Sequence, residues 1–220
     1  MLLYRAAQTG AFGRLTRYGR GSIADAPFVY LDGEPEPESM EALAAGYLAR
    51  PWVCLTGAWE SCIHKRYPCA QIYMRTLMKP ARRFCFPKQR TLPKGCRLAD
   101  MDEEAFNAHP FGHGVNYPSY GVFQADGSGT IIWRDGKIIA SASSFLSLDG
   151  EVELDVSTAE AYRKMGLATA CVDAMLRDCT ARGITVHWDA QNAASRRLAE
   201  KFGFVMDREY PVYWVDAKEG

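Results

Sequence analysis

Glu151-Val152-Glu153-Leu154-Asp155-Val156-Ser157-Thr158, followed by Ala159-Glu160-Ala161-Tyr162-Arg163-Lys164-Met165-Gly166-Leu167-Ala168-Thr169, decides how this chain folds. The first residues alternate acidic and apolar, which is the period of a β-strand. A loop then feeds directly into a helix over residues 166–182. There Leu167, Cys171, Met175 and Cys179 share one face, with Val172 and Leu176 beside them. Gly183 is a fitting stop. Gly166 and Ala168 stand at the helix entrance. Free backbone N–H groups there, helped by the helix dipole, suit a pyrophosphate, and a glycine lets it come close. Arg163 adds charge beside the same spot. Taken alone, Arg-x-x-Gly-x-Ala is weak, because many helices begin after a glycine without a ligand.

Working outward, residues 184–188 read as the next strand. A shorter helix follows with Leu198, Ala199 and Phe202 as its apolar stripe, and residues 204–215 close the chain as one strand or two. Upstream, strands are predicted at 96–98, 120–124, 129–134 and 137–146, and a helix at 102–108. Asp135-Gly136 and Asp149-Gly150 are hairpin turn signals. Residues 109–114 form a loop. Thr91-Leu92-Pro93-Lys94-Gly95 reads as a linker, which divides the chain into domains 1–93 and 94–220. The first domain opens with a polar stretch to about Pro27. A strand at 28–31 follows, then a helix entered at 35–39 with Met40, Leu43, Ala44, Tyr47 and Leu48 on one face. A strand at 52–55, a helical or irregular piece, and segments 72–78 and 83–86 complete a small α/β unit. No internal repeat is visible.

The 220 residues carry 26 Lys+Arg and 26 Asp+Glu, a net charge of zero. The charges are unevenly spread. Residues 1–95 hold 14 basic and 7 acidic side chains, a balance of +7, and the remainder a balance of −7. Two halves that attract each other explain this, as does an acidic second half that draws in a cationic amine. The basic charges are scattered without a recognition motif, so no nucleic-acid partner is expected. No run of about 18 apolar residues spans a membrane and no secretory apolar core opens the chain. The seven cysteines include no Cys-x-x-Cys pair, and Cys54, Cys171 and Cys179 read as core hydrophobes. A reducing cytoplasm is the expected compartment.

The context sharpens the weak motif. Arg163-x-x-Gly166-x-Ala168 after a strand is followed, one strand later, by Asn192-x-x-Ser195-x-x-Leu198-x-x-Lys201-x-Gly203-Phe204. Together they resemble the GNAT superfamily of acyl-CoA N-acyltransferases, in a bacterial branch with an extra N-terminal domain. The specific motifs cover about 60 residues, and the element order extends the likeness to residues 96–220. The resemblance implies an α/β (α+β) fold with a mixed, mostly antiparallel sheet and flanking helices. That sheet splays open between 151–156 and 184–188. It implies acetyl-CoA as co-substrate and no metal. Pantetheine would lie along Leu154 and Val156. The pyrophosphate would sit on Lys164, Met165, Gly166, Leu167, Ala168 and Thr169. Asn192 and Ser195 would contact or position the pantetheine arm, and Ser157, Thr158, Arg163 and Lys201 complete the cofactor set.

Acetyl transfer needs a neutral amine, a polarised thioester and a proton for the thiolate. Glu151, Glu153 and Asp155 share one strand face. Either one of them takes the amine proton, with Glu153 favoured over Glu151, or the face is solvated and salt-bridged. Asp189 either holds the substrate ammonium or caps the helix beginning near Asn192. GNAT enzymes often place an acid tyrosine one residue after the position matching Leu198. Here that residue is Ala199, and Tyr210 and Tyr213 are the replacements at hand. His109 and His113 are spaced like metal ligands, yet Pro110, Gly112 and Gly114 argue against a helix. With Asn116 and Tyr117 they are specificity candidates instead. The expected activity is transfer of acetyl to a primary amine, small or on a protein, by direct attack. A non-catalytic acyl-CoA-binding or regulatory module is the alternative. Monomer and homodimer both stay open.

Overall fold

The computed structural model describes residues 1–79, 83–88, 91–110 and 116–219. They form two compact units, Met1–Thr76 with Arg208–Gly220, and Leu77–Asp207. This differs from a single cut between 93 and 94, because the last strand of each half crosses from one unit into the other.

The first unit begins with α1 (Leu2–Thr9), which buries Leu2, Leu3, Ala6 and Ala7 and stops at Gly10 in the left-handed region, φ 75°. Strands β1 (Arg14–Tyr18), β2 (Gly21–Asp25) and β3 (Val29–Gly33) follow as an antiparallel meander. The stretch to Pro27 is therefore a helix and a hairpin rather than irregular chain; short strands with few large apolar residues gave little periodicity to read. Helix α2 (Pro37–Gly46) returns the chain so that β4 (Pro51–Cys54) pairs parallel to β3. Helix α3 (Gly57–Arg66) leads to β5 (Gln71–Lys79), whose last residues belong to the second unit. On its other edge β4 pairs antiparallel with β11 (Val205–Trp214), through Trp52↔Tyr213. The core holds Ile23, Leu31, Leu43, Trp52, Trp59, Ile63 and Val215. Both buried indole N–H groups find carbonyls: Trp52 donates to Tyr47 at 2.7 Å and Trp59 to Asp32 at 3.0 Å.

In the second unit β6 (Arg97–Asp100), β7 (Gly129–Arg134), β8 (Lys137–Leu148) and β9 (Glu151–Thr158) are antiparallel neighbours, and β10 (Thr185–Ala190) is parallel to β9. The two expected turns hold: Asp135, Gly136, Asp149 and Gly150 all take positive φ. Helix α4 (Glu103–Ala108) is capped by Asp102, whose carboxylate accepts from Ala105 N at 2.8 Å. Residues 120–124, expected as a strand, lie in helix α5 (Tyr120–Asp126), capped by Ser119 and buried through Phe123. The strand-favouring run Tyr-Gly-Val-Phe is overridden by that cap and by ring packing on Phe106 and Tyr117. Residues 83–86 form no strand. Phe84 and Phe86 pack on the second unit's core, and Cys85 N donates to Phe202 O at 2.9 Å.

Helix α6 (Leu167–Arg182) buries Leu167, Cys171, Val172, Met175, Leu176 and Cys179 against this sheet. Burial pushes the thiols of Cys171 and Cys179 up to about 12 and 11, as expected of core hydrophobes, while Cys54 is half-buried. Helix α7 (Ala193–Lys201) precedes β11. Among the described residues no helix is long and apolar enough to cross a membrane. Ile63 is fully buried in the first unit's core. Ile63→Ala should therefore cost about 2–5 kcal/mol, read as a lower denaturant midpoint for the intact chain.

Candidate active site

The β9–β10 pairing runs Thr185↔Glu151, Val186↔Val152, His187↔Glu153 and stops there. Strand β9 continues to Thr158, held along its other edge by β8 as far as Ala140↔Thr158. The register of the two parallel strands thus ends at Glu153 and His187, while β9 runs on to Thr158. Beyond the branch β10 is fixed by Trp188, which is 2% exposed. Its Nε1 donates to Ser195 Oγ at 3.0 Å, and its ring meets Phe204 at 5.3 Å, edge to face.

The chain leaves the end of β9 through residues 159–166, which contain one 3-10 turn at Glu160–Tyr162. Lys164 takes φ 65° and Gly166 φ 84°. Gly166 is the N-cap of α6, and no side chain caps that end. The first-turn amides of α6 are thus left to whatever arrives, in the field of a four-turn helix. Arg163 lies beside them, 63% exposed, with Nε 3.4 Å from Thr158 O and a loose 3.9 Å contact to Glu160. A CoA diphosphate fits this turn: the helix end carries no side-chain cap, glycine is its hinge, and an exposed guanidinium flanks it. Lys164, Met165, Gly166, Leu167, Ala168 and Thr169, the residues expected to hold the pyrophosphate, are the ones at this turn and helix start.

The acids share a face, as alternation requires. Glu153 is 7% exposed. Asp155 accepts from Ser157 Oγ at 3.2 Å. Glu151 is bound to His187, Oε2 to Nε2 at 2.5 Å. His187 was missed by the sequence reading. The signal was available: Val186 and Trp188 face the core, so His187 must face the acids.

Several expectations change. Asp189 does not cap α7; Asn192 does, accepting from Ala194 N and Ser195 N at 3.0 Å each. The Asn192 carbonyl and the Ser195 hydroxyl are thus occupied in shaping α7 and holding Trp188. Exposed Lys201 stands at the opposite end of α7 from Asn192. Tyr213 and Tyr210 lie in the first unit. Tyr213 is buried there, with its hydroxyl 3.2 Å from His64 Nε2, and is not grouped with the cleft residues of the second unit. Ala199 is fully buried. Tyr117 is core rather than substrate-facing, its hydroxyl donating to Ser144 Oγ at 2.8 Å. His109 is also buried, Asn116 buries its Nδ2, and His113 lies outside the described residues.

These features make up a cleft between two parting parallel strands in an α/β sheet, with an uncapped helix start beside it. The family described as GNAT acetyltransferase matches residues 16–213. The chain belongs to that family. An N-acetyltransferase of Bacillus subtilis, YdfB, itself uncharacterized, is 29% identical over 135 residues, 59% of this chain. The chain spans about half the length of that curated relative, 52%. A GCN5-related N-acetyltransferase-like protein from Streptococcus suis shares the fold, with a TM-score of 0.85 at 24% identity over 97% of this chain and 92% of its own. A GCN5-related N-acetyltransferase from Kribbella flavida aligns with a TM-score of 0.63 at 18% identity, over 96% and 95%.

Burial pushes the Tyr117 phenol up to about 12 from its ordinary 10. A raised pKa gives stability that is complete below about pH 10 and drains away as pH rises toward 12. Tyr117→Phe should lower stability at pH 7 by about 1 kcal/mol through the lost hydrogen bond. It should also flatten the alkaline fall in melting temperature between those two values.

Proposed function

We propose that this protein is an acetyl-CoA-dependent N-acetyltransferase acting on a primary amine in a ternary complex. The observation that carries the reading is the parting of β9 and β10 at Glu153 and His187, at the same strand end where α6 opens its uncapped amides. Family membership supports acetyl transfer. When bound, the co-substrate supplies an activated thioester carbonyl and a thiol leaving group.

Leu154 and Val156 present backbone groups to the pantetheine arm, with Ser157 and Thr158 following along β9. Amides of residues 164–169 and the Arg163 guanidinium hold the diphosphate. Glu153 takes one proton from the substrate ammonium, directly or through water. The neutral nitrogen attacks the thioester carbon, the carbon–sulfur bond breaks, and a second proton shed by nitrogen reaches the departing sulfur. Ala199 offers no proton, so water delivers it to the thiolate. The His187–Glu151 pair fixes the charged floor beside Glu153 and is a positioning element. Asp189 lies two residues beyond the branch and attracts the incoming cation. The acidic balance of residues 96–220 favours the same substrate class. A soluble cytoplasmic setting suits both co-substrate and free thiols.

The test is an acceptor screen over small amines, amino acids and lysine peptides, with free thiol as readout. Glu153→Gln should lower kcat by about 100-fold or more while acetyl-CoA still raises the melting temperature as in the wild type. Stabilisation by acetyl-CoA without thiol release from any amine would favour a binding module instead.

A further inference from the structure

The two units repeat one topology. In the second, β7, β8 and β9 form an antiparallel meander, α6 crosses over, β10 pairs parallel to β9, α7 follows, and β11 runs on. In the first, β1, β2 and β3 form the meander, α2 crosses over, β4 pairs parallel to β3, α3 follows, and β5 runs on. The first hairpin of each has a two-residue connection, Gly19-Arg20 and Asp135-Gly136. Each final strand begins in its own unit and ends in the other. A shared order of seven elements, with the one parallel pair in the same place, is a specific match.

We propose that the first unit is a second copy of the acyltransferase core whose cofactor site has been sealed by its own residues, so that each chain holds one acyl-CoA, in the second unit. The inference rests on the function proposed above. Three differences carry it, each at a position equivalent to the working cleft.

The parallel strands do not part. The register Val29↔Trp52, Tyr30↔Val53, Leu31↔Cys54 closes on Leu55 N donating to Leu31 O at 2.8 Å. Thr56 Oγ1 then donates to Gly33 O at 2.6 Å, and Trp59 Nε1 to Asp32 O. The last two carbonyls of β3 are thereby taken by side chains of the same unit, where β9 runs on to Thr158 past the end of its register with β10. A pantetheine arm would have to displace the Thr56 and Trp59 side chains from those two carbonyls to lie there.

The anion turn is missing. Residues 34–36 link β3 to α2, against residues 159–166 between β9 and α6. Pro37 at the first position of α2 has no N–H. Ser39 Oγ accepts from Glu36 N at 2.9 Å, so the helix start is occupied by its own cap.

The charge is reversed. Where Arg163 and Lys164 flank α6, the first unit has Asp32, Glu34, Glu36 and Glu38. Acids suit the positive end of α2 and repel a diphosphate.

Calorimetric titration of the intact chain with CoA reads the stoichiometry. One CoA per chain is expected. Ala168→Glu sets a carboxylate in the first turn of α6, where it favours the helix and opposes the diphosphate. It should weaken binding roughly 100-fold or more with no second isotherm left behind. An unchanged circular dichroism spectrum and melting curve for the unliganded variant exclude misfolding. The exposed Arg163→Ala, which does not disturb the core, should keep one site at lower affinity. Glu38→Gln in the first unit should change neither count nor affinity. Two CoA per chain, or one remaining at full affinity in A168E, overturns the inference. No CoA bound by the wild type overturns the proposed function and the inference with it, and is distinct from either result.

Discussion

The molecule turns on a parallel strand pair that is allowed to stay incomplete. Parallel neighbours cannot be joined by a hairpin, so the chain must leave β9 at its far end and return through a crossover helix. That requirement puts the start of α6 at the same end at which β9 and β10 separate. The open strand edge and the amide-rich helix mouth are therefore one site by topology. In the proposed function one elongated thioester spans both without further arrangement.

Keeping the pair open has a structural cause. An unpaired edge costs hydrogen bonds unless water or a ligand takes them. Past His187 the chain is committed elsewhere: Trp188 is fastened to Ser195 and meets Phe204 edge to face, and Asn192 has already begun α7. Strand β10 is anchored to its helix in preference to β9. In the first unit the same moment in the chain goes the other way. Leu55, Thr56 and Trp59 turn back onto β3 and close it. One topology yields a cleft or a solid sheet according to which partner the residues after the parallel strand choose.

Much of this was legible in the residues. The alternation of 151–158, the glycine turn and the apolar stripe of α6 are local signals, and the structure forms them at nearly the expected bounds. The Asp-Gly turns are equally local, since only a few residue types tolerate two positive φ angles in a row. The misreadings are tertiary. Residues 120–124 have strand propensity, but a serine cap and three aromatic rings make them a helix. Phe84 and Phe86 look like part of the first half, yet the core they fill belongs to the second. The repeated topology could not be read, because it lies in pairing order while the two halves differ in helix length, turn length and charge. His187 joins the acids only through the register of β10 on β9, which tertiary pairing sets.

The division of proton work follows from these placements. Of the three acids on β9, Glu151 is committed to His187 and Asp155 accepts from Ser157, while Glu153 stands at the last paired position before the strands part. A base is needed where the nitrogen and the thioester meet, and that is the branch point. An acid is needed where sulfur departs, and Ala199, at the position where the family often carries a tyrosine, is a buried methyl. The asymmetry is chemically tolerable. An alkylammonium near neutral pH holds its proton several units too tightly to attack unaided, whereas a thiolate with a free-thiol pKa of about 8.5 leaves with water as its donor. In the proposed reaction the base and the geometry of the cleft therefore matter most, and a side-chain acid is the component it can do without.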